Sequence, residues 1–300
     1  MKKRNAVLWI LLVLALAAAP AVFAAPNPAG LEGFYNSPDS FWGFQSHVEL
    51  GFLGFFSHKI QFGTTAAGND YFDYVADGGQ DVWFPFQRIS GDIFIGPHHR
   101  IVLLYQPIDV RTEVYLDQSV QINGETFDAG EPLQLRYGFD FYRLSYLYDF
   151  LADPRNELAV GASLQIRDAV ITFYQPGDPA AGEVAKIRDQ TDVGPVPALK
   201  FRAKYYVSPR FWLGTEIDGI YAAGRGFVGS TEVESGFVGA IVDASLRAGF
   251  SARENLDTFL NLRYIGGGAE GTSTGDDGPG DGYTKNWLHA FSVSLGVTLR

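Results

Sequence analysis

The 300-residue chain contains no cysteine and a single methionine. The lack of cysteine excludes a disulfide framework, a lipid-modified amino-terminal cysteine and a thiol nucleophile. Residues 6–21 form a long uncharged apolar run. No other segment reaches the roughly 18 consecutive apolar residues that a membrane-spanning helix needs. The rest of the sequence therefore predicts no helical membrane span.

The first 24 residues have the pattern of an export signal. Three basic residues precede the apolar run, and within residues 22–24 (VFA) Val22 and Ala24 present small side chains on either side of Phe23, as a cleavage site requires. We therefore expect a signal peptide over 1–24 and an irregular periplasmic lead-in over 25–42. A retained amino-terminal anchor is the alternative, but the run is short and ends near Pro20.

Acidic residues outnumber basic ones in the remainder of the chain. Residues 1–24 hold three basic and no acidic residues, so 20 Lys and Arg remain against 34 Asp and Glu, a net charge of −14. This charge argues against nucleic acid or a bare anionic surface as a partner, because like charges repel. The sequence also predicts no cofactor and no metal site.

Alternation with a period of two residues dominates the chain after the lead-in. In one clear case, one face of an extended segment carries Tyr142, Leu144, Tyr146, Tyr148 and Phe150. Ten such segments are predicted as strands, at 43–62, 82–96, 99–116, 133–151, 157–174, 196–207, 210–223, 237–252, 255–268 and 285–300. The connections between them alternate between long and short.

The strand number and the connection lengths together predict the fold. An even number of strands places both ends on one side, and outer-membrane barrels have short periplasmic turns and longer external loops. We therefore expect an all-β fold, a closed antiparallel up-and-down transmembrane β-barrel of ten strands over 43–300. Eight or twelve strands are alternatives, because the hairpin signal Asn123-Gly124 could extend the third and fourth strands above the membrane.

The apolar face of the strands carries almost no charge. Lipid would select such a face, since a charge there costs about 2–4 kcal/mol at mid-membrane. A soluble barrel gives the same alternation, but its polar face would be rich in Lys and Glu, whereas this one is mixed with Gly, Ser, Ala and aromatic residues. The predicted partners are outer-membrane lipid and lipopolysaccharide, with the barrel-assembly machinery during biogenesis. The oligomeric state is left open.

The charges on the polar faces have complementary signs. For example, Lys200 and Arg202 lie across a two-residue turn from Glu216. Buried charges must be matched, so we expect a salt-bridge network that fills the lumen. The predicted members are Asp109, Arg111, Glu113, Arg136, Asp140, Arg143, Arg167, Lys200, Arg202, Lys204, Glu216, Asp218, Asp243, Arg247 and Arg263. A structural plug is the first interpretation, a narrow passive solute path the second, and a catalytic or ligand site the third.

Histidines supply the few candidates for catalysis. His47 lies two residues from Glu49 on one face of the first strand. His58 and His289 are expected on the outward face, near the external end, where the first and last strands pair. An outer-membrane hydrolase acting on lipid or peptide is therefore the alternative function, although no serine lies convincingly beside either pair.

Most of the chain after the signal also carries a family resemblance. The stretches concerned are RIVLLYQPIDV (100–110), INGETFDAGEPLQLRYGFDFYRLSYLYDF (122–150), LAVGASLQIRDAVITF (158–173), DVGPVPALKFRAKYY (192–206), EIDG (216–219) and GRGF (224–227). The matching features include Arg143 within YRLSY, Arg167-Asp168 and Gly194-Pro195. These stretches resemble a group of Gram-negative outer-membrane barrel proteins. The resemblance implies a fold and a compartment, and it carries over no catalytic residues.

The resemblance and the residue patterns lead to one functional expectation. We expect a non-enzymatic surface protein with a structural role in the envelope or a narrow solute path. The end of the chain departs from the wider barrel pattern, because outer-membrane barrels usually finish with an aromatic residue and this chain finishes Thr298-Leu299-Arg300.

Overall fold

The computed structural model describes residues 42–300 apart from 152, 154, 178, 179, 181, 229, 230 and 273–281. The side chains of 167, 192–194, 224–228 and 231–237 are likewise outside the description. The predicted signal peptide over 1–24 and all but the last residue of the predicted lead-in therefore lie outside the described residues.

The described residues form β-strands and one short 3-10 helix. The strands are β1 (Trp42–Phe62), β2 (Tyr71–Asp73), β3 (Trp83–Ile95), β4 (His99–Gln106), β5 (Asp109–Tyr115), β6 (Val120–Ile122), β7 (Glu125–Phe127), β8 (Pro132–Asp149), β9 (Glu157–Gln175), β10 (Lys186–Tyr206), β11 (Phe211–Val228), β12 (Thr231–Arg253), β13 (Leu256–Thr272) and β14 (Tyr283–Leu299). The 3-10 helix is Thr65–Ala67. Within the described part of the chain, no helix is long and apolar enough to cross a membrane.

Ten wall strands close into an antiparallel barrel. Each pairs with its neighbour along the chain, and β14 pairs with β1 to complete the circle. The third wall strand consists of β4 and β5, which both pair with β8 in one continuous register. The predicted ten-stranded up-and-down barrel is confirmed. The Asn123-Gly124 signal forms the turn of a separate hairpin, β6–β7, and adds no wall strand.

Several wall strands extend further than the sequence predicted. β10 begins at Lys186, so half of the predicted loop 175–195 is strand. Most of the predicted loop 224–236 is likewise strand, since β11 and β12 continue to Val228 and from Thr231. The barrel therefore rises beyond the length that a bilayer requires.

Side chains alternate between the outer and inner faces of the wall. On β8, the tyrosines and Leu144 of the predicted row lie outside, and so does Phe150, which directly follows the strand and is 57% exposed. Arg143 and Asp149, from the same stretch, are buried inside. Exposed aliphatic and aromatic residues around buried charges are the reverse of a soluble protein. This is the arrangement of a transmembrane barrel, and we call the outer apolar surface the belt.

Above the belt, the two faces exchange polarity. On β8, the polar side chains of Gln134, Arg136 and Asp140 lie outside, whereas Leu135 and Phe139 are buried inside. The inner residues belong to an apolar cluster that fills the upper half of the barrel. This half has the polarity of a soluble protein, so it projects from the membrane.

The exchange corrects part of the predicted lumen network. Asp109, Arg111, Glu113, Arg136 and Asp140 point outward and do not line the lumen. The reason is the continuous register of the third and fourth wall strands, which keeps these positions on the outer face after the strands have left the lipid. The predicted proximity of two of them is real, since Arg136 Nε donates to Asp109 Oδ1 at 2.9 Å.

A β-bulge corrects the predicted position of His58. The register between β1 and β14 shifts between Phe55 and Ser57, so Phe56 is an extra residue with no partner in β14. One extra residue reverses the facing of everything after it. His58 therefore points inward and is fully buried, and the prediction that it faces outward is wrong.

Candidate ligand cavity and charged plug

A layer of paired charges fills the lumen at the level of the belt. Its centre is Asp243, which accepts hydrogen bonds from Arg263, from Arg143 Nη1 at 3.0 Å and from Arg88 Nη1 at 3.2 Å. The members of this central layer are Glu49, Glu216, Asp218, Asp243, Arg88, Arg143, Lys200, Arg247 and Arg263, and none of these side chains is more than 12% exposed. Close pairing offsets the penalty of removing each charge from water.

A second layer lies nearer the short turns. Arg202 Nη2 lies 2.6 Å from Asp92 Oδ2, and Arg202 Nε lies 2.5 Å from Glu157 Oε1. Arg100 Nη1 lies 3.0 Å from the other carboxylate oxygen of Glu157. The members of this lower layer are Asp92, Arg100, Asp149, Glu157, Arg202, Lys204, Asp257 and Arg300. The ring of Trp212 lies so close to Gly249 that a Cβ there would come within 2.1 Å of it.

The two layers contain many of the predicted network residues. They hold Arg143, Lys200, Arg202, Lys204, Glu216, Asp218, Asp243, Arg247 and Arg263, whereas the side chain of Arg167 lies outside the described residues. Sequence reasoning missed eight members, which are Glu49, Arg88, Asp92, Arg100, Asp149, Glu157, Asp257 and Arg300, and it considered Glu49 only as a partner of His47. A usable signal existed for Arg88 and Asp92, which share the face of β3 opposite Ile89 and Ile93.

A cavity of about 410 Å³ lies directly above the central layer. The walls are mainly apolar and include Phe139, Phe141, Ala169, Ile171, Ile220, Ile241, Ile265 and Leu288. Gln106, Arg143 and Asp243 form its floor. Cavities of this size with apolar walls and a few polar groups are typical of small-molecule sites.

The charges of the cavity floor are already satisfied by protein partners. Arg143 donates to Gln165 Oε1 at 2.6 Å and pairs with Asp218 at 2.7 Å, in addition to its contact with Asp243. Gln106 Oε1 accepts from Arg88 Nη1 at 2.8 Å. A charged ligand would have to displace these pairs, so the floor favours an uncharged molecule.

The lumen is divided by the two layers. A smaller cavity of about 50 Å³ lies among residues of the lower layer, including Asp92, Glu157 and Arg202. It shares no lining residue with the 410 Å³ cavity. The central layer, with Glu216 and Lys200, separates the two spaces. The 410 Å³ cavity and the smaller cavity are therefore separate spaces.

External segments fold into the mouth of the barrel above the cavity. Phe72 packs edge-on against Phe173, with ring centroids 5.1 Å apart, and Tyr74 stacks on His58 at 4.5 Å. Burial raises the pKa of the Tyr74 hydroxyl well above its usual range, and the neighbouring Tyr137 adds to the effect. Asn123 N donates to Phe62 O at 3.3 Å, which ties the β6–β7 hairpin to the wall. We call these segments, residues 63–81 and 117–131, the cap.

The histidines predicted as catalytic candidates have separate surroundings. His58 Nδ1 shares a hydrogen bond with Gln80 Oε1 at 2.7 Å in the cap. His289 points outward as expected, and its Nδ1 lies 2.7 Å from the Tyr264 hydroxyl. The wall lies between His58 and His289, so the two do not form a site.

The other histidine candidate is also engaged elsewhere. His47 Nδ1 lies 2.9 Å from Thr298 Oγ1, and its Nε2 lies 3.6 Å from Asp92. Glu49 instead accepts from Asn261 Nδ2 at 2.6 Å and from Ser294 Oγ at 3.0 Å. Within the described ranges, no group of three or more His, Cys, Asp or Glu residues is placed to hold a metal ion.

Comparison with known proteins gives only distant likenesses. No protein-family model and no curated protein matches the chain. Among solved structures, the outer membrane protease OmpT from Escherichia coli is similar with a TM-score of 0.47 and 10% identity, over 88% of this chain and 97% of that one. The toluene transporter TodX of P. putida gives a TM-score of 0.35 and 9% identity, over 91% and 92% of the two chains. The transport unit of the autotransporter AIDA-I from Escherichia coli gives 0.40 and 7%, over 86% and 90%.

Proposed function

We propose that this protein is an outer-membrane barrel that binds a small, uncharged apolar molecule in the 410 Å³ cavity on the external side of a closed lumen. The observation that carries the proposal is the position of the cavity, between the charged floor and the cap. In this proposal, outer-membrane lipid and lipopolysaccharide surround the belt, and the barrel-assembly machinery inserts the chain.

The chemistry of the walls supports an apolar ligand. Burying apolar surface contributes about 25 cal/mol per Å², and the rings of Phe139 and Phe141 offer a large part of that surface. The polar side chains of Gln190, Thr284 and Asn286 also reach the cavity and can orient a ligand. An aromatic or alicyclic molecule without charge fits this combination.

The charged layers support a closed lumen rather than a narrow solute path. A path for ions needs charges that water or the solute can reach, and the carboxylates of the central layer are paired and buried, as Asp218 and Asp243 illustrate. The wall separates His58 from His289, and His47 is engaged by Thr298 instead of Glu49, so neither predicted histidine pair supports the hydrolase alternative.

Photolabelling tests the proposed site. The barrel is reconstituted in liposomes with an iodophenyl trifluoromethyl diazirine, a small apolar reagent, and labelled residues are mapped by mass spectrometry. We expect saturable labelling of the inward Phe139 and Phe141 that excess naphthalene suppresses, because competition requires a site of limited capacity. Labelling of the belt should not saturate.

A matched pair of variants controls the photolabelling. Ala169→Phe fills the cavity from β9, whereas Val170→Phe places the same ring on the outer face of the same strand. We expect the first variant to lose labelling of Phe139 at least tenfold and the second to keep it. Equal labelling in both, or labelling that naphthalene does not suppress, would refute the binding site.

A further inference from the structure

The barrel wall is not fully paired between β10 and β11. Backbone pairing of these strands runs from Tyr206 with Trp212 up to Leu199 with Gly219 and then stops. Above this point β10 still pairs with β9 as far as Lys186, and β11 still pairs with β12. The described residues 186–198 and 220–228 therefore form two strand edges that face each other without a ladder.

Two prolines explain why the ladder ends there. Alternate residues of a strand direct their N–H groups to the same neighbour, so Pro195 and Pro197 remove two donors from one edge of β10. The pairing with β9 continues through both prolines, opposite Ile166 and Leu164. The edge that lacks the donors is therefore the one that faces β11.

Charged contacts hold the upper part of β10 toward the cap. Arg188 Nη2 lies 3.1 Å from Glu125 Oε2, and Arg188 Nε donates to Asn123 O at 3.1 Å. Lys186 pairs with Asp128, which follows the β6–β7 hairpin. These contacts draw β10 across the mouth and away from β11.

The gap begins within the belt, in its external part. Pro197 lies opposite Leu164, which in turn lies opposite the outward Leu144 of β8. Unpaired backbone is costly in lipid and is tolerated where it lines a cavity. Both edges do line the 410 Å³ cavity, through Val196 and Pro197 on β10 and through Ile220 and Ala222 on β11.

We infer that the gap between β10 and β11 is a lateral opening through which an uncharged apolar molecule dissolved in the outer leaflet enters the cavity. This inference rests on the proposed function and adds the source of the ligand. The gap joins the belt to the apolar walls, so the molecule passes between them without crossing water. Paired charges lie below the cavity and the cap lies above it, so an apolar molecule reaches the cavity from the side of the barrel.

A reversible bridge across the gap tests the route. Continuing the β10–β11 register would place Pro195 opposite Ala223, and both side chains are exposed on the outer face. Because the chain has no cysteine, Pro195→Cys with Ala223→Cys creates the only two thiols. A bis-methanethiosulfonate reagent joins them and dithiothreitol releases them. The diazirine is supplied only in the liposome bilayer.

Relative to the same variant before bridging, in which Pro197 still lacks its N–H donor, we expect bridging to reduce labelling of Phe139 and Phe141 at least tenfold and reduction to restore it. The control pair, Tyr205→Cys with Leu213→Cys, lies on paired outward positions of the same two strands, and bridging it should change nothing. Pro197→Cys with Tyr221→Cys is a second gap pair in case the first does not fold.

The outcomes separate the route from the site. Unchanged labelling after verified bridging overturns the lateral opening and leaves the binding cavity in place. Absence of labelling at Phe139 and Phe141 in the parent as well as the variants overturns the cavity, and the route with it. Loss of labelling in the Tyr205 and Leu213 control also overturns the route, because the bridge would then act without closing the gap.

Discussion

At the scale of single residues, the same ion pair has different consequences inside and outside the wall. Arg263 is fully buried and contacts Asp243 and Glu49, whereas Arg136 pairs with Asp109 on the outer, solvated face. A buried charge that loses its partner keeps the full desolvation penalty, while a solvated one regains water. The loss of stability when a charge loses its partner therefore depends on which side of the wall the charge lies.

This difference gives a prediction for two matched substitutions. Arg263→Met leaves Asp243 uncompensated in part, and we expect a loss of about 3–5 kcal/mol in the free energy of unfolding. Arg136→Met should lose about 1 kcal/mol or less. Urea unfolding in lipid vesicles, followed by tryptophan fluorescence, measures both. Similar losses would contradict the placement of Arg136 outside the lumen.

A turn residue gives a prediction on pH. Asp153 Oδ1 accepts from the backbone N–H groups of Arg155 at 2.7 Å and Asn156 at 3.1 Å, and these bonds hold the pKa of its carboxyl below the usual value. Because the folded pKa is lowered, this stabilisation is present above the pKa of the unfolded chain, about 4, and is lost as the pH falls through the folded pKa.

We expect Asp153→Ala to be less stable than the parent at neutral pH and to approach it as the pH is lowered below about 4. Asp153→Asn keeps an oxygen acceptor for both N–H groups and serves as the control. Unfolding midpoints of the three proteins across this pH range provide the measurement. A parent-to-alanine difference that does not depend on pH would oppose the assignment.

At the scale of strands, alternation predicted the elements better than it predicted their facing. The period of two and the turn residues give all ten wall strands, because both signals are local. The facing of His58 was predicted wrongly, because the extra Phe56 in β1 is visible only in the pairing with β14. The facing of Asp109 was also predicted wrongly, because the polarity of the two faces reverses where the strand leaves the lipid.

The site could be predicted only in part for the same reason. Lys200 and Glu216 lie on neighbouring strands, so their pairing follows from a short turn. The contact of Arg88 with Glu216, which crosses the lumen, depends on the curvature of the closed barrel and has no local signature. The cavity and the gap likewise depend on distant strands meeting.

The prolines of β10 give a prediction at this scale. Pro195→Val with Pro197→Val restores two N–H donors on the edge that faces β11. We expect the ladder to lengthen past Leu199, so amide hydrogen exchange at 220–223 should slow at least tenfold.

Pro85→Val is the control for this substitution. Pro85 also faces outward in a wall strand, opposite Phe52, and is remote from β11. It should leave exchange at 220–223 unchanged. Unaltered exchange in the double variant would mean that the contacts of Arg188, rather than missing donors, hold the strands apart.

At the scale of the whole molecule, the barrel combines two kinds of interior. The membrane part encloses matched charges and the external part encloses an apolar cluster with a cavity. The outer surface has the opposite polarity at each level. Both arrangements follow from one rule, that each side chain meets either its solvent or a partner, applied to a wall that passes from lipid into water.

A closed lumen predicts the electrical behaviour of the barrel. In planar bilayers, we expect the parent to give no current above leak, because paired and buried charges of the central layer fill the lumen below the 410 Å³ cavity. Arg143→Ala with Asp218→Ala removes one cation and one anion that pair at 2.7 Å, so the net charge of the central layer is unchanged. The layer nevertheless loses the volume of both side chains. Small current steps should then appear, since water can enter the space.

The control, Arg136→Ala with Asp109→Ala, removes an outer pair and should give no current steps. Conductance in the parent would show that the charged layers form a pore and not a plug.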